Sequence, residues 1–191
     1  MTQIFFDFDG TIVNVWMRYY KIFCDFYKID LDFELYKKEK KLLQDDYFLA
    51  KKFSDTDKYY DYINYKRNNL ENWDYLKLDS VILKNKDIEK YNILTYRYNP
   101  NNLYSQMDYL ELKVNINNVI VLNPKNITKK DYLSSYSDVI IVGDSESEYD
   151  CAENKQTDVF LVKTGLRNIE NYKSKDNVHI LEDINQFFTY L

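Results

Sequence analysis

Five short apolar runs constrain this chain more than any other feature: residues 4–6, 93–95, 119–122, 139–142 and 159–162. They are rich in Ile, Val and Phe and are continuous rather than alternating, the pattern of strands covered on both faces. Helical spacing lies between most of them. Asn99 and Pro100 form an N-cap and first helical residue ahead of Leu103, Met107 and Leu110. Thr128 caps a segment carrying Tyr132, Leu133 and Tyr136, and Asp183 caps one carrying Ile184, Phe187 and Phe188. Strand alternating with helix predicts an α/β fold with a doubly wound parallel sheet.

The stretch from about residue 15 to 80 breaks that alternation. It contains neither Gly nor Pro and shows helical spacing: Trp16, Tyr19, Tyr20, Phe23 and Phe26 or Tyr27 form one stripe, and Tyr59, Tyr60, Ile63, Lys66 and Leu70 suggest another. An all-helical insertion of two to four helices is expected at residues 14–80, with residues 1–13 and 81–191 forming the α/β core. The lysine pairs Lys37-Lys38, Lys40-Lys41 and Lys51-Lys52 sit among acids and read as a solvated face.

The chemistry sits at strand ends, where open α/β sheets bind ligands. Asp7 and Asp9 end the first run, two residues apart and so on the same side of an extended backbone. Gly10 lets the chain turn away, and Thr11 is placed to bond locally and steady the loop. The fourth run ends in Gly143-Asp144-Ser145, followed by Glu148. In a parallel sheet Asp144 converges with Asp7 and Asp9, and carboxylates gathered there need a cation or donors. Three carboxylates make an oxygen cage suited to Mg²⁺. The single histidine, His179, lies in an apolar terminal segment and reads as structural; two cysteines, Cys24 and Cys151, lack zinc-ligand spacing. Only three glycines occur in 191 residues, Gly10, Gly143 and Gly165, so each marks a backbone requirement.

These motifs resemble those of the haloacid dehalogenase (HAD) superfamily. Residues 4–12 (IFFDFDGTI) are similar to its first signature, 93–95 (ILT) to its second and 139–150 (VIIVGDSESEYD) to its fourth. The stretch TYRYNPNNL, residues 95–103, resembles a subgroup of small phosphoglycolate-phosphatase-like members with a helical cap. The resemblance implies a three-layer Rossmann-like core, with residues 14–80 as the cap. It also implies a Mg²⁺-dependent phosphatase acting on a small phosphorylated metabolite. Asp7 would be the nucleophile, forming an aspartyl-phosphate, and Asp9 the general acid and base. Mg²⁺ would be held by Asp7, the Asp9 main-chain carbonyl and Asp144. Thr95 would bind the phosphoryl oxygens, and Arg97 would reach either the substrate or the sheet edge. The third signature is a lysine, for which Lys125, Lys129 and Lys130 are candidates; Lys129 has the most family-like context. Glu148 stands where the family more often carries Asp, and is expected behind the metal rather than on it. Ser145 would orient Asp144 or cap the next helix.

Asp9 argues against dehalogenase and phosphonate-hydrolase chemistry, which lack a carboxylate there, while a sugar phosphomutase shares it. From another class, a non-catalytic binding protein on the same scaffold remains open. The aromatic cap leaves both a monomer and a cap-mediated homodimer possible. A net charge of −5 gives no electrostatic reason for a nucleic-acid partner. Nothing approaches a membrane span, and no leader pattern opens the chain, so a cytoplasmic protein is expected.

Overall fold

The computed structural model describes residues 2–190. In chain order the elements are β1 (Gln3–Phe6), β2 (Val13–Asn14), α1 (Trp16–Tyr27), α2 (Phe33–Leu43), α3 (Asp46–Phe53), α4 (Tyr59–Asn69), α5 (Trp73–Leu76), β3 (Ser80–Val81), β4 (Asn92–Tyr96), α6 (Pro100–Tyr109), β5 (Val119–Leu122), α7 (Lys129–Leu133), β6 (Val139–Gly143), α8 (Glu146–Tyr149), β7 (Thr157–Val162), β8 (Val178–Leu181) and α9 (Ile184–Phe187). Six strands form one parallel sheet in the order β5-β4-β1-β6-β7-β8. The five apolar runs are five of those strands, and β8 is a sixth, within the terminal segment that holds His179. It is an edge strand with only four residues, and His179 and Ile180 are exposed, so no continuous apolar run marks it.

Alternation along each strand divides its side chains between two layers. On one side Phe6, Ile93, Val142, Phe160 and Leu181 pack with Leu103 and Met107 of α6 and with Ile184 and Phe187 of α9. On the other, Phe5, Leu94, Ile141, Val159 and Leu161 pack with Leu133 of α7 and with Cys151 and Ala152. Adjacent Phe5 and Phe6 thus serve opposite layers, each burial contributing about 1.5–3 kcal/mol. His179 stacks on Phe160 at 4.7 Å between ring centres, in line with a structural part.

The helices α1–α5 leave the core through β2 and return through β3. These two strands pair antiparallel, Val13 with Val81 and Asn14 with Ser80. There are five helices in this insertion rather than two to four, because α4 and the four-residue α5 are separate elements, the latter capped by Asn72. Their core is aromatic: Trp16, Phe23, Tyr36, Tyr62 and Tyr75 are buried with Ile22 and Leu49. The insertion is also tied to the sheet domain. Trp16 Nε1 donates to the Thr164 carbonyl at 2.9 Å, and Lys41 Nζ donates to the carbonyls of Lys163 and Arg167 at 2.9 and 2.8 Å. Glu71 accepts the backbone N–H groups of Tyr98 and Asn99 at 2.7 and 2.9 Å, just ahead of α6. Lys40 and Lys41 therefore face inward, correcting the solvated-face reading for that pair. Their helix turns one face onto the core, and lysine spacing alone does not say which.

Candidate active site

The chain runs from β1 to β4 and β5 on one side of the sheet, then returns to β6 on the other side of β1. The carboxyl ends of β1, β4 and β6 meet beside this reversal, where α/β sheets bind ligands. Asp7 follows β1 directly, and its N–H donates to the Val142 carbonyl at 2.8 Å. Phe8 is buried in the core, which leaves Asp7 and Asp9 both lining the same cavity of about 290 Å³. Thr95, Lys129, Asp144 and Ser145 line it as well. Neither Lys125 nor Lys130 does; Lys130 pairs with Glu153 at the surface.

Lys129 is the first residue of α7, whose N-cap Thr128 accepts the Asp131 N–H. Its own N–H donates to the Tyr96 hydroxyl at 2.8 Å, fixing it to the end of β4. The buried ammonium then donates to Asp7 Oδ1 and Glu148 Oε1, each at 2.6 Å. Burial would lower its proton affinity, but Asp7 and Glu148 outweigh that and hold it firmly protonated.

Glu148 is the third residue of α8 and closes a capping box with Ser145. Its Oε2 accepts from the Ser145 N–H at 3.1 Å and hydroxyl at 2.8 Å, while Ser147 Oγ donates to Oε1 at 2.6 Å. Ser145 therefore caps the helix. The longer carboxylate has a use here, since it folds back to the cap and still meets Lys129. Burial pushes Glu148 up, yet Lys129 and the two serines bring it below the usual range.

Asp7, Asp144 and Glu148 each present a carboxylate oxygen, all within 4.8 Å of one another. One lysine faces these three buried acids. Burial and the neighbouring charges of Glu148 and Asp9 push Asp7 up to about 6 despite Lys129, and burial with Asp7 and Glu148 drives Asp144 well above its ordinary value. Among the described residues no side chain or N–H donates to Asp144. The cluster is short of positive charge, and an all-oxygen donor set of this kind fits a hard divalent cation. The glycines make room for it. Gly10 has φ +82°, and a Cβ there would lie 2.5 Å from Asp144 Oδ2; a Cβ on Gly165 would overlap the same side chain. Gly143 makes the same allowance for Glu148.

Asp9 faces another way. Its Oδ1 accepts from Arg18 and from Arg97, each at 2.7 Å. Burial raises its proton affinity, but the two guanidiniums win and hold the carboxyl below the usual range. Arg97, expected at substrate or sheet edge, is buried; its Nη2 donates to Asp9 Oδ1 at 2.7 Å and to Gln106 Oε1 at 3.0 Å, while Nε and Nη1 have no partner among the described residues. Arg18 was not singled out from sequence. It projects from α1, donates to the Leu70 carbonyl at 3.0 Å and lies 3.4 Å from Asp79. One signal was available, for Arg18 is the only charged residue between Asp9 and Lys21. Thr11 Oγ1, expected to bond locally, is buried with no partner among the described residues; the turn is held instead by the Phe8 carbonyl, which accepts from Ile12 and Val13 at 3.0 Å.

Neither a family model nor a curated protein matches the sequence. Solved structures do match the fold. A haloacid dehalogenase-like family hydrolase from Streptococcus pneumoniae superposes with a TM-score of 0.65 at 14% identity, covering 100% of this chain and 98% of that one. A predicted phosphatase from Clostridium acetobutylicum gives 0.62 at 16% identity, covering 99% and 97%. A hydrolase from Pseudomonas syringae gives 0.59 at 14%, covering 100% and 97%. At such identities the likeness is one of architecture: the chain has the fold of the haloacid dehalogenase-like hydrolases, helical insertion included.

Proposed function

We propose that the chain is a phosphatase that hydrolyses a small phosphomonoester through an aspartyl-phosphate on Asp7, with Mg²⁺ as its cofactor. The observation that carries this reading is the arrangement at the β1 end. A buried lysine bridges Asp7 and Glu148, Asp144 stands beside them with no donor among the described residues, and Thr95 shares their cavity. The fold neighbours named as hydrolases and phosphatases agree with it.

In this reading Asp7 Oδ attacks phosphorus and the bond to the ester oxygen breaks, while Asp9 gives that oxygen a proton. Water then attacks the acyl phosphate, Asp9 takes its proton, and inorganic phosphate leaves with Asp7 restored. Lys129 and Thr95 hold the charge on the phosphoryl oxygens. Asp7 and Asp144, with the Asp9 main-chain carbonyl and Glu148 behind, would hold Mg²⁺, which would neutralise phosphate charge so that an anionic nucleophile can approach. Arg18 and Arg97 keep Asp9 ionised while the site is empty. A dianionic phosphate arriving beside it opposes them and raises its proton affinity to that of a usable acid.

The insertion reaches the site through Arg18, whose guanidinium pairs with Asp9 at 2.7 Å. The test is phosphate release from a panel of esters with Mg²⁺ and with chelator. Turnover that needs the divalent ion and disappears in Asp7→Asn supports the reading. Interconversion of sugar phosphates with little phosphate released would make the chain a mutase. No turnover and no Mg²⁺ binding would leave a binding protein.

A further inference from the structure

Asp9 is held by one oxygen only. Arg18 Nη2 and Arg97 Nη2 both donate to its Oδ1, each at 2.7 Å, and none of the described residues donates to Oδ2. Each guanidinium also reaches a second side chain. Arg97 Nη2 donates to Gln106 Oε1 at 3.0 Å, Gln106 Nε2 donates to Asp79 Oδ2 at 2.8 Å, and that oxygen lies 3.4 Å from Arg18 Nη2. The contacts close a ring that runs Asp9, Arg97, Gln106, Asp79, Arg18 and back to Asp9. Gln106 is its one uncharged member, supplied by α6 and 0% exposed. Its neighbours on that helix, Leu103 and Met107, serve the core as apolar side chains, whereas a buried amide is costly unless it is bonded. This one is bonded throughout. Arg97 can only donate, and the Leu76 carbonyl can only accept, which it does from Nε2 at 3.0 Å, so the amide has one orientation and both its hydrogens are used. Arg97 in turn depends on Gln106. Its Nε and Nη1 have no partner among the described residues, and apart from Asp9 its guanidinium has only the Phe8 ring beneath it, 5.9 Å from the ring centre.

We propose that Gln106 is a positioning residue for Asp9: by orienting Arg97 it fixes Oδ1 and leaves Oδ2 as the oxygen that exchanges a proton with the substrate. This rests on the phosphatase reading, in which Asp9 protonates the departing ester oxygen. A carboxyl turns about two bonds, and two donors converging on one oxygen hold both. Without Gln106 the Arg97 guanidinium keeps Asp9 as its single hydrogen-bond partner, swings about its own side chain, and the carboxyl moves with it. Proton transfer needs the two heavy atoms within hydrogen-bond reach, and a misplacement of about 1 Å costs on the order of a hundredfold. The ring does not include Asp7, Lys129 or Thr95, so attack on phosphorus is untouched. The effect is therefore confined to esters that need the proton. An alkyl phosphate expels a strongly basic alkoxide and needs it, while 4-nitrophenolate leaves without it.

The experiment has two readouts. Hydrolysis compares the fastest alkyl phosphate of the ester panel with 4-nitrophenyl phosphate, in wild type and in Gln106→Met. For the alkyl ester kcat/KM should fall about tenfold or more, part of the roughly 10²–10⁴ that a general acid supplies; for 4-nitrophenyl phosphate it should fall less than about threefold. Should Gln106→Met not fold, Gln106→Asn takes its place, because its shorter amide cannot span Arg97 and Asp79. The second readout needs no turnover. In ¹⁵N-labelled protein the Arg97 Nη signals, assigned by their loss in Arg97→Met, should be split by hindered rotation in wild type and merge in the Gln106 variant. If the wild type cleaves no alkyl ester, these signals alone decide. If it cleaves no ester at all the phosphatase reading falls, and merged signals still keep Gln106 as the residue that orients Arg97 on Asp9. Equal losses for both esters mark a purely structural part and overturn the proposal, as does an unchanged alkyl rate. Signals that stay split in the variant overturn it in every case.

Discussion

Replacing Lys129 with Met keeps the aliphatic stem and removes the one cation among three buried carboxylates. At pH 8, without divalent ions, Asp7 and Glu148 then lose a partner 2.6 Å away. Removing one side of a buried ion pair costs about 3–5 kcal/mol, and Lys129→Met should lose that much in urea unfolding with chelator present. The loss must shrink in acid. Asp7 has a folded-state value raised by burial to about 6, above its ordinary 3.8, so folding takes up a proton between those values and the stabilisation it gives disappears as pH rises through 6. Glu148, lowered in the wild type chiefly because Lys129 outweighs burial, moves above its unfolded value once the lysine is gone. At pH 5 both carboxyls of the variant are thus largely neutral in the folded state, and the deficit should fall to about 1–3 kcal/mol. A deficit equal at pH 5 and pH 8, or larger in acid, would refute the charge accounting of the site.

Two other perturbations probe separate parts of the account. Gly165→Ala puts a methyl group into the Asp144 side chain and should cut Mg²⁺ affinity, read by calorimetry, at least tenfold; unchanged binding would remove Asp144 from the metal set. Asp79 is raised by burial, against Arg18, to about 7, so its contribution to stability is complete below pH 4 and lost as pH rises to 7. Asp79→Asn, neutral throughout, should gain about 2–4 kcal/mol relative to the wild type between pH 4 and pH 8 in urea unfolding. A parallel pH profile for the two proteins would contradict that.

The sheet was legible because buried parallel strands leave continuous apolar runs, and β8 was not because an exposed edge strand leaves none. Asp7, Asp9, Thr95 and Asp144 were found at strand ends, where position in the fold follows from position in the run; the structure brings all four to one cavity. Lys129 was separable from Lys125 and Lys130 only by the helix it begins. Arg18 was not singled out, and Lys40 was read as solvated, for one physical reason. They lie on insertion helices, where the helical period says which residues share a face but not which face meets the core. Arg97 was visible just after β4, but its pairing with Asp9, 88 residues away, leaves no local record.

The central claim is that Asp7 carries the phosphoryl group. Wild-type protein mixed with a ³²P-labelled ester and Mg²⁺, quenched in acid within the first turnover and digested, should carry label on the peptide containing Asp7. Hydroxylamine should release it, as it does an acyl phosphate, and Asp7→Asn should carry none. Phosphate release with no label on that peptide, or label that persists in Asp7→Asn, would contradict the account.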